Sequence, residues 1–175
     1  KCKIIGDIDI FKNIIHEKSE IIAVTGTNGK STTASLIYHM LKEKGYIVEL
    51  VGNIGRAALS LDNYDKKTVY VLEISSFQLD LLNKAEFEYA ALLNITPDHI
   101  LRHGNLDNYI SAKAKIFDDS DYKIINSDDK NCQRILAANN PSEFIRFTAN
   151  KENKDADIIF DKNKLITIEH QIDIG

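Results

Sequence analysis

A glycine-containing loop between an apolar strand pattern and a helical pattern constrains this chain more than any other segment. It follows the β-branched run 21–25 and consists of Gly26, Thr27, Asn28, Gly29, Lys30, Ser31 and Thr32. Backbone N–H groups of such a loop can surround phosphate oxygens, and the helix that follows turns its positive end towards them. The order therefore predicts a phosphate-binding loop, in which Lys30 neutralises the terminal phosphates and Ser31 or Thr32 binds Mg²⁺.

This loop is shorter than the usual nucleotide-binding loop, which carries a glycine at the position that Val24 occupies here. The spacing of Gly26, Gly29 and Lys30 argues against ordinary GTPases and for another kind of nucleotide-using protein. The alternative is a strand-to-helix turn in which the two glycines serve backbone geometry alone.

Composition limits the classes of protein to which the chain can belong. Its 175 residues and 43% hydrophobic content suit one soluble domain with its own core. With a net charge of −4 and no basic stripe, a nucleic-acid partner is not expected. The sequence has neither an apolar stretch of membrane-spanning length nor a signal peptide, which predicts a cytoplasmic protein without a membrane partner. We also expect a monomer.

The cysteines and the single methionine add two expectations. Cys2 and Cys132 lie far apart and lack CxxC spacing, so we expect two reduced thiols rather than zinc ligands or a disulfide. The chain begins at Lys1 and contains only Met40, which suggests a piece of a longer protein.

Apolar runs alternate with helical patterns along most of the chain. Residues 21–25 are apolar at nearly every position, which is typical of a strand covered on both faces in a parallel sheet. A helix that ends at Gly45 and a strand at 46–51 complete a βαβ unit; the helix is indicated by the spacing of Leu36, Ile37, Met40 and Leu41. Further strands are predicted at 69–73, 89–95, 122–126 and 143–148, helices near 9–17, 77–82, 107–117 and 129–138, a short helix ending at 61, and a hairpin over 158–169 that turns at 161–164. The fold class is thus α/β, with a P-loop-type, mostly parallel sheet flanked by helices and a C-terminal β-hairpin.

Polar residues stand at the ends of several predicted strands, where open α/β sheets bind their ligands. Glu73 ends a strand parallel to the one before the glycine loop, so we expect it to reach a Mg²⁺ ion held at phosphates. The alternative for Glu73 is a solvated strand-end acid. His99, next to Asp98, is a candidate second metal ligand or substrate contact, although a lone histidine is more often structural. Ser75 and Ser76 are predicted to cap the helix that follows Glu73.

One lysine lies on an apolar helix face. In the helix predicted at 107–117, Lys113 falls four residues after Tyr109 and three before Ile116, on the stripe that also contains Ile110 and Phe117. A lysine on a buried stripe is costly unless its charge is paired or altered. The alternative is a lysine that packs its stem on the stripe and extends its amine into water.

The order of four motifs resembles the Mur ligases, ATP-dependent enzymes that add amino acids to the peptidoglycan precursor. Residues 26–32 are similar to their ATP loop and residues 94–99 to their histidine motif, and folylpolyglutamate synthases share both. Two narrower motifs, at 52–55 and 72–79, are similar to those of the branch that joins D-glutamate to UDP-N-acetylmuramoyl-L-alanine. The resemblance runs from about residue 6 to 128, and Leu101 stands where the family usually has an acid.

This resemblance implies a reaction in which ATP phosphorylates a substrate carboxylate and the amine of D-glutamate then displaces the phosphate. It implies ATP contacts from residues 26–32, with catalytic roles for Lys30, Glu73, His99 and Lys113. It also implies substrate contacts from Asn53, Ser75 and His99, and two Mg²⁺ ions held by Ser31, Glu73, His99 and Lys113. Lys113 matches a lysine that the family carbamoylates with carbon dioxide, which would give the apolar stripe a magnesium-binding carboxylate instead of an unpaired cation.

By the same resemblance, residues 1–175 are expected to form the central ATP-binding domain, incomplete at its C-terminal end. The N-terminal UDP-binding and C-terminal amino-acid-binding domains of the family are absent from this sequence, so we expect the isolated piece to be inactive as a ligase. Two alternatives stay open, namely another Mur ligase or a folylpolyglutamate synthase, and a nucleotide-binding remnant without catalysis.

Overall fold

The computed structural model of the chain describes residues 4–64, 66–161, 164–167 and 171–173. Cys2, residues 162–163 of the expected hairpin turn, and the hairpin end at 168–169 lie outside the described residues. The strands in chain order are β1 Glu20–Thr25, β2 Val48–Gly52, β3 Val69–Glu73, β4 Tyr89–Leu92, β5 Tyr122–Asn126, β6 Phe144–Thr148, β7 Ile158–Asp161, β8 Lys164–Thr167 and β9 Gln171–Asp173.

The predicted helices are present with ends that differ by a few residues, and the structure adds short helices at Ile100–His103 and Pro141–Glu143 that the sequence does not predict. The helices are α1 Asp7–Ile14, α2 Lys30–Glu43, α3 Ser76–Leu81, α4 Ile100–His103, α5 Leu106–Ala114 and α6 Lys130–Ala138, with short 3₁₀ helices at Ala58–Ser60, Lys115–Phe117 and Pro141–Glu143.

All the described strands belong to one sheet, in the order β2-β3-β1-β4-β5-β6-β7-β8-β9. Neighbours from β2 to β7 are parallel, and β8 is antiparallel to both β7 and β9. The predicted α/β class, with its mostly parallel sheet and terminal hairpin, is confirmed.

Strand β1 is central and places the glycine loop between two neighbours. Val24 of β1 pairs with Glu73 of β3, and Thr25 pairs with Leu92 of β4. Because these strands are parallel, the segments that follow them leave the sheet at the same edge. The chain places β2 and β3 on one side of β1 and β4 and the later strands on the other. Open α/β sheets form a ligand crevice at such a change of direction.

Two strand boundaries differ from the prediction by two residues or more. Strand β2 begins at Val48 rather than at 46, and β4 ends at Leu92 rather than at 95. The chain leaves the ladder after Leu92 because the main-chain oxygen of Asn94 accepts a hydrogen bond from the N–H of Thr27, 2.9 Å away, in the glycine loop.

The apolar spacing in α2 identifies a helix correctly but does not mark a buried face. Among the residues of α2, only Ala34 is fully buried. Leu36 and Met40 are 57% and 59% exposed. By contrast, all five residues of β3 are buried, as expected for a strand covered on both faces.

A glycine is required at position 52, at the end of β2, because the backbone of Glu73 comes very close to it. A Cβ there would lie 2.3 Å from the carbonyl oxygen of Glu73, and Gly52 has φ of 102°. We expect Gly52→Ala to lower the free energy of unfolding by about 3 kcal/mol or more, because the backbone of β3 must move. Urea denaturation measures this. Gly45→Ala is the matched control, since Gly45 has φ of 84° but an added Cβ meets nothing within 4 Å. Equal losses in the two variants would contradict a steric cause.

Candidate functional site

A cavity of about 140 Å³ lies at the edge of the sheet where β1, β2 and β3 end. Seven of the candidate site residues line it, namely Gly26, Thr27, Lys30, Asn53, Ser75, His99 and Lys113. The fold thus brings together segments that are up to 87 residues apart in the sequence, as between Gly26 and Lys113.

The glycine loop is shaped by Gly29, which has φ of 81° and immediately precedes the first residue of α2. The N–H groups of Thr27 and Asn28 donate to the main-chain oxygen and to Oδ1 of Asn94, both at 2.9 Å. The first turn of α2 is therefore the part of the loop that can present N–H groups to an anion. Lys30 Nζ donates to the carbonyl of Thr27 at 2.9 Å, which keeps its charge at the loop.

Ser31 and Thr32 follow in that first turn, and both are exposed. A hydroxyl in this position is free to approach a cation held at bound phosphates. Neither side chain forms part of the cavity wall, so their contacts with a ligand remain predictions.

Glu73 is buried inside the protein, which excludes the solvated strand-end alternative. The residue is 1% exposed, and its Oε1 accepts a 2.9 Å hydrogen bond from Nδ2 of Asn53. Its Oε2 is buried and, among the described residues, has no hydrogen-bond partner. Burying an unpartnered carboxylate oxygen is costly. The carboxylate of Glu73 is therefore suited to bind a cation.

Asn53 and Ser75 both line the cavity, and both also have structural contacts. The N–H of Asn53 donates to the carbonyl of Glu73 at 2.9 Å, so the loop after β2 is tied to the end of β3. Ser75 is the N-cap of α3, and its hydroxyl accepts from the N–H of Gln78 at 3.3 Å. The predicted helix cap is confirmed at Ser75, whereas Ser76 is the first residue of the helix.

Lys113 is buried along its whole length, so the alternative in which its amine extends into water is wrong. It is 1% exposed, and Nζ donates to the carbonyl of Gly26 at 2.8 Å and to Oγ1 of Thr25 at 3.3 Å. Burial, with a smaller contribution from the positive charge of Lys30, lowers the pKa of Lys113 to about 7. A substantial fraction of the amine is therefore uncharged at neutral pH.

The lowered pKa makes stability depend on pH in a defined direction. Between about pH 7 and the ordinary lysine value of 10.5, the unfolded chain binds the Lys113 proton and the folded chain releases it. The free energy of unfolding should therefore rise with pH in this range, by up to about 1.4 kcal/mol per pH unit. Urea denaturation of the wild type and of Lys113→Met in buffer free of carbon dioxide measures the difference. If the free energy of unfolding changed with pH in the same way in both proteins, the predicted contribution of Lys113 would be wrong.

Tyr109 forms part of the cavity wall beside Lys113. Its ring centroid lies 5.1 Å from Lys113 Nζ, and its hydroxyl is 3.1 Å from Oγ1 of Thr27. Burial is the main reason that the pKa of Tyr109 is raised, so its hydroxyl keeps its proton. The apolar stripe of α5 thus connects the lysine to the glycine loop, a contact that helical periodicity alone does not reveal.

His99 lies at the open side of the cavity in an unusual backbone conformation. It has φ of 50°, which is uncommon for a residue other than glycine and is often retained at functional sites. Its Nε2 is 3.4 Å from Oδ2 of Asp98, and its ring packs against Phe77 with centroids 5.0 Å apart. Leu101 is fully exposed, so the missing acid at that position leaves the contacts of His99 with Asp98 and Phe77 intact.

The donors present fit a magnesium ion that is completed by other oxygen ligands. In the part of the chain that the structure describes, no three His, Cys, Asp or Glu side chains are grouped to hold a metal by themselves. Magnesium commonly binds through one or two carboxylates together with waters and substrate phosphates. The unpartnered Oε2 of Glu73 is the observation that favours such a site.

Cys132 is a free thiol in the first turn of α6 and is fully buried. Burial raises the pKa of this thiol well above its usual range. The expectation of a reduced, unreactive thiol is consistent with this environment.

The geometry agrees with the family relationships of the sequence. Residues 24–173 match the Mur ligase middle domain family, and the chain belongs to that family. Among curated proteins it is similar to the UDP-N-acetylmuramoylalanine--D-glutamate ligases of Rickettsia bellii and Wolbachia pipientis. The first is 50% identical over 139 residues, covering 76% of this chain and 30% of the relative, and the second is 47% identical over 129 residues, covering 74% and 25%. The chain thus spans about a third or less of the length of these relatives.

Solved structures confirm the fold. A UDP-N-acetylmuramoyl-L-alanyl-D-glutamate--2,6-diaminopimelate ligase superposes with a TM-score of 0.69 at 24% identity, covering 95% of this chain and 41% of that one. A MurF ligase from Thermotoga maritima in complex with ADP gives a TM-score of 0.60 at 21% identity, covering 92% and 39%. An FPGS-AMPPCP-folate complex gives 0.66 at 17% identity, covering 95% and 54%.

In the described ranges, no helix is both long enough and apolar enough to span a membrane.

Proposed function

We propose that this chain is the ATP-binding part of a ligase that joins D-glutamate to UDP-N-acetylmuramoyl-L-alanine, in peptidoglycan precursor synthesis. The names of relatives at 47–50% identity support this assignment. The proposal includes a central ATPase domain within a larger monomeric, cytoplasmic protein, whose other domains bind the UDP group and the amino acid.

The reaction we propose has two steps. A carboxylate oxygen of the alanyl group attacks the γ-phosphorus of ATP, and the bond from that phosphorus to the β,γ-bridging oxygen breaks to give an acyl phosphate and ADP. The amine of D-glutamate then attacks the acyl carbon, phosphate leaves, and the amine loses a proton as the amide forms. Phosphoryl transfer of this kind depends mainly on positioning and on neutralising charge.

The phosphate contacts are assigned to the glycine loop. The first turn of α2 would offer its N–H groups to the β- and γ-phosphates, and the ammonium of Lys30, while donating to the carbonyl of Thr27, would donate with its other N–H groups to these oxygens. Asn53, Ser75 and His99 would face the muramoyl-alanine substrate from the other side of the cavity that they line with Lys30.

The proposed magnesium ligands are Ser31, Glu73, His99 and modified Lys113, for two ions. Bound Mg²⁺ would supply positive charge that neutralises the transferring phosphoryl group. The unpartnered Oε2 of Glu73 supports one of these sites. Asn53, which donates to Oε1, would keep the carboxylate oriented so that Oε2 remains available.

We include carbamoylation of Lys113 in the proposal on the basis of its chemistry. A neutral lysine amine attacks carbon dioxide and loses one proton, which gives an N-carboxylate. The pKa of about 7 supplies the neutral amine, and burial favours replacing an ammonium that lies beside the positive charge of Lys30. The product carboxylate would be attracted to that same charge.

The observation that carries the proposal is that one cavity joins the phosphate loop to a fully buried lysine and to Asn53. The side-chain amide of Asn53 donates to the buried carboxylate of Glu73, whose other oxygen has no partner among the described residues. The test is ADP release by the full-length protein with ATP, Mg²⁺ and UDP-N-acetylmuramoyl-L-alanine, with and without D-glutamate. We expect release that requires both substrates. If ADP is released with a different amino acid or with a folate acceptor, the protein is another Mur ligase or a folylpolyglutamate synthase. If the full-length protein binds nucleotide but releases no ADP, the proposed catalytic function is wrong.

A further inference from the structure

The side-chain amide of Asn94 pairs with the main chain of Asn28 as a second peptide group would. Oδ1 of Asn94 accepts from the N–H of Asn28 at 2.9 Å, and Nδ2 donates to the carbonyl of Asn28 at 3.0 Å. The two residues are 66 positions apart, and both polar atoms of the amide are used in this pair. Asn94 therefore acts on the glycine loop.

The segment that carries Asn94 is itself held on both sides. Nδ2 of Asn126, at the end of β5, donates to the carbonyl of Leu93 at 2.9 Å. Nδ2 of Asn131, in α6, donates to the carbonyl of Ile95 at 2.7 Å. Residues 93–95 are thus held in place and form a fixed support. The hydrogen bonds of the Asn94 amide hold the glycine loop in position relative to this support.

This pairing determines the orientation of two successive peptide planes. In a trans peptide, the C=O and the N–H point in opposite directions. Because the N–H of Asn28 points to Asn94, the carbonyl of Thr27 in the same peptide points away from Asn94, and there it accepts from Lys30 Nζ at 2.9 Å. Because the carbonyl of Asn28 also points to Asn94, the N–H of Gly29 must point away from it.

We propose that Asn94 is a positioning residue that holds the two peptides flanking Asn28, so that the Gly29 N–H and the Lys30 ammonium face the phosphates of a bound nucleotide. This inference rests on the proposed ATP-binding function of the loop. Neither glycine geometry nor the lysine charge alone fixes these directions, because Gly29 can adopt several backbone conformations at little cost.

The test compares Asn94→Asp and Asn94→Ala in the full-length protein. Asn94→Asp keeps the size of the side chain but replaces the donor to the carbonyl of Asn28 with a second acceptor. Binding of a fluorescent ADP analogue should weaken by about tenfold or more in both variants, because Asn94→Ala loses both hydrogen bonds that orient the loop and Asn94→Asp places a carboxylate oxygen against the carbonyl of Asn28. In steady-state assays, the KM for ATP should rise while the KM for D-glutamate stays within about twofold.

A pH profile separates positioning from simple loss of stability. Once protonated, the aspartic acid of the Asn94→Asp variant can again donate and accept, so its affinity relative to the wild type should recover as pH falls towards about 4, and that of Asn94→Ala should not. Asn139→Asp is the matched control, since Asn139 Nδ2 donates to the carbonyl of Ile135 at 2.8 Å, so this variant loses the same kind of hydrogen bond and gains the same charge away from residues 93–95 and Asn28.

The possible outcomes are distinct. Recovery in Asn94→Asp alone supports the inference. Unchanged affinity in both Asn94 variants, or equal weakening and recovery in Asn139→Asp, overturns it while leaving the nucleotide site intact. A wild-type protein that does not bind the ADP analogue overturns the proposed function itself.

Discussion

Replacing Lys113 by alanine should reduce the ligase activity of the full-length protein by about 10²-fold or more. The variant loses the amine that the proposed carbamoylation requires, and with it a carboxylate that would neutralise positive charge beside Lys30. Short carboxylic acids such as acetate or propionate should restore part of the activity, because they can occupy the space left by the side chain and supply a carboxylate. Steady-state ADP release with increasing acid concentration measures the rescue.

Lys115→Ala provides the control for this experiment. Lys115 is two residues further along the chain, but its Nζ donates to the carbonyl of Asp80 at 3.0 Å, away from the glycine loop. We expect near wild-type activity and no response to added acids. Carbon-13 NMR of the wild type with labelled carbon dioxide should show a carbamate signal that Lys113→Ala lacks. Unchanged activity in Lys113→Ala would exclude the carbamate role.

Replacing Glu73 by glutamine should separate activity from stability. Glutamine keeps an oxygen that can accept from Asn53 but removes the negative charge and the second carboxylate oxygen that has no partner in the described structure. We expect ligase activity to fall by about 10²-fold or more, since a proposed metal ligand is lost. The free energy of unfolding should stay the same or increase, because an uncompensated buried charge is removed.

Glu88→Gln is the matched control for Glu73→Gln. Glu88 precedes β4 at the opposite edge of the sheet, where its Oε2 accepts from the N–H of Ile21 at 2.6 Å. Urea denaturation and magnesium titrations of ADP release, carried out on both variants, give the comparison. Suppose that Glu73→Gln lowers the free energy of unfolding and that its activity falls only as much as the fraction of folded protein. Glu73 would then have a structural role.

The elements that the sequence predicts correctly are those with a local cause. The order strand, glycine loop and helix is predicted correctly because each part has a short-range signature. Glu73 and Lys113 are also visible from the sequence, since a charge beside or within an apolar pattern is unusual. Whether Lys113 extends into water depends on what packs against α5, and only the fold shows that Nζ reaches Gly26.

Contacts between distant segments cannot be read from periodicity. Asn94 appears at the end of a predicted strand, but its pairing with Asn28 requires that β1 and β4 are neighbours. The same holds for Asn53, whose bond to Glu73 depends on β2 lying beside β3. Leu36 and Met40 show a second limit of sequence patterns. Their spacing correctly predicts a helix, but it does not determine how deeply that helix is buried, and both side chains are exposed.

The central place of β1 also bears on how the chain folds. Glu20 pairs with Val69, and Ile22 pairs with Tyr89, so both ladders of the central strand join residues far apart in sequence. Such pairings must overcome the entropy of closing long loops before their contacts stabilise the chain, which makes folding slow. The support given to the glycine loop by residues 93–95 forms only when β4 has docked on β1. We therefore expect the proposed nucleotide site to be complete only once β4 lies beside β1, so that nucleotide binding would report on molecules in which these strands are already paired.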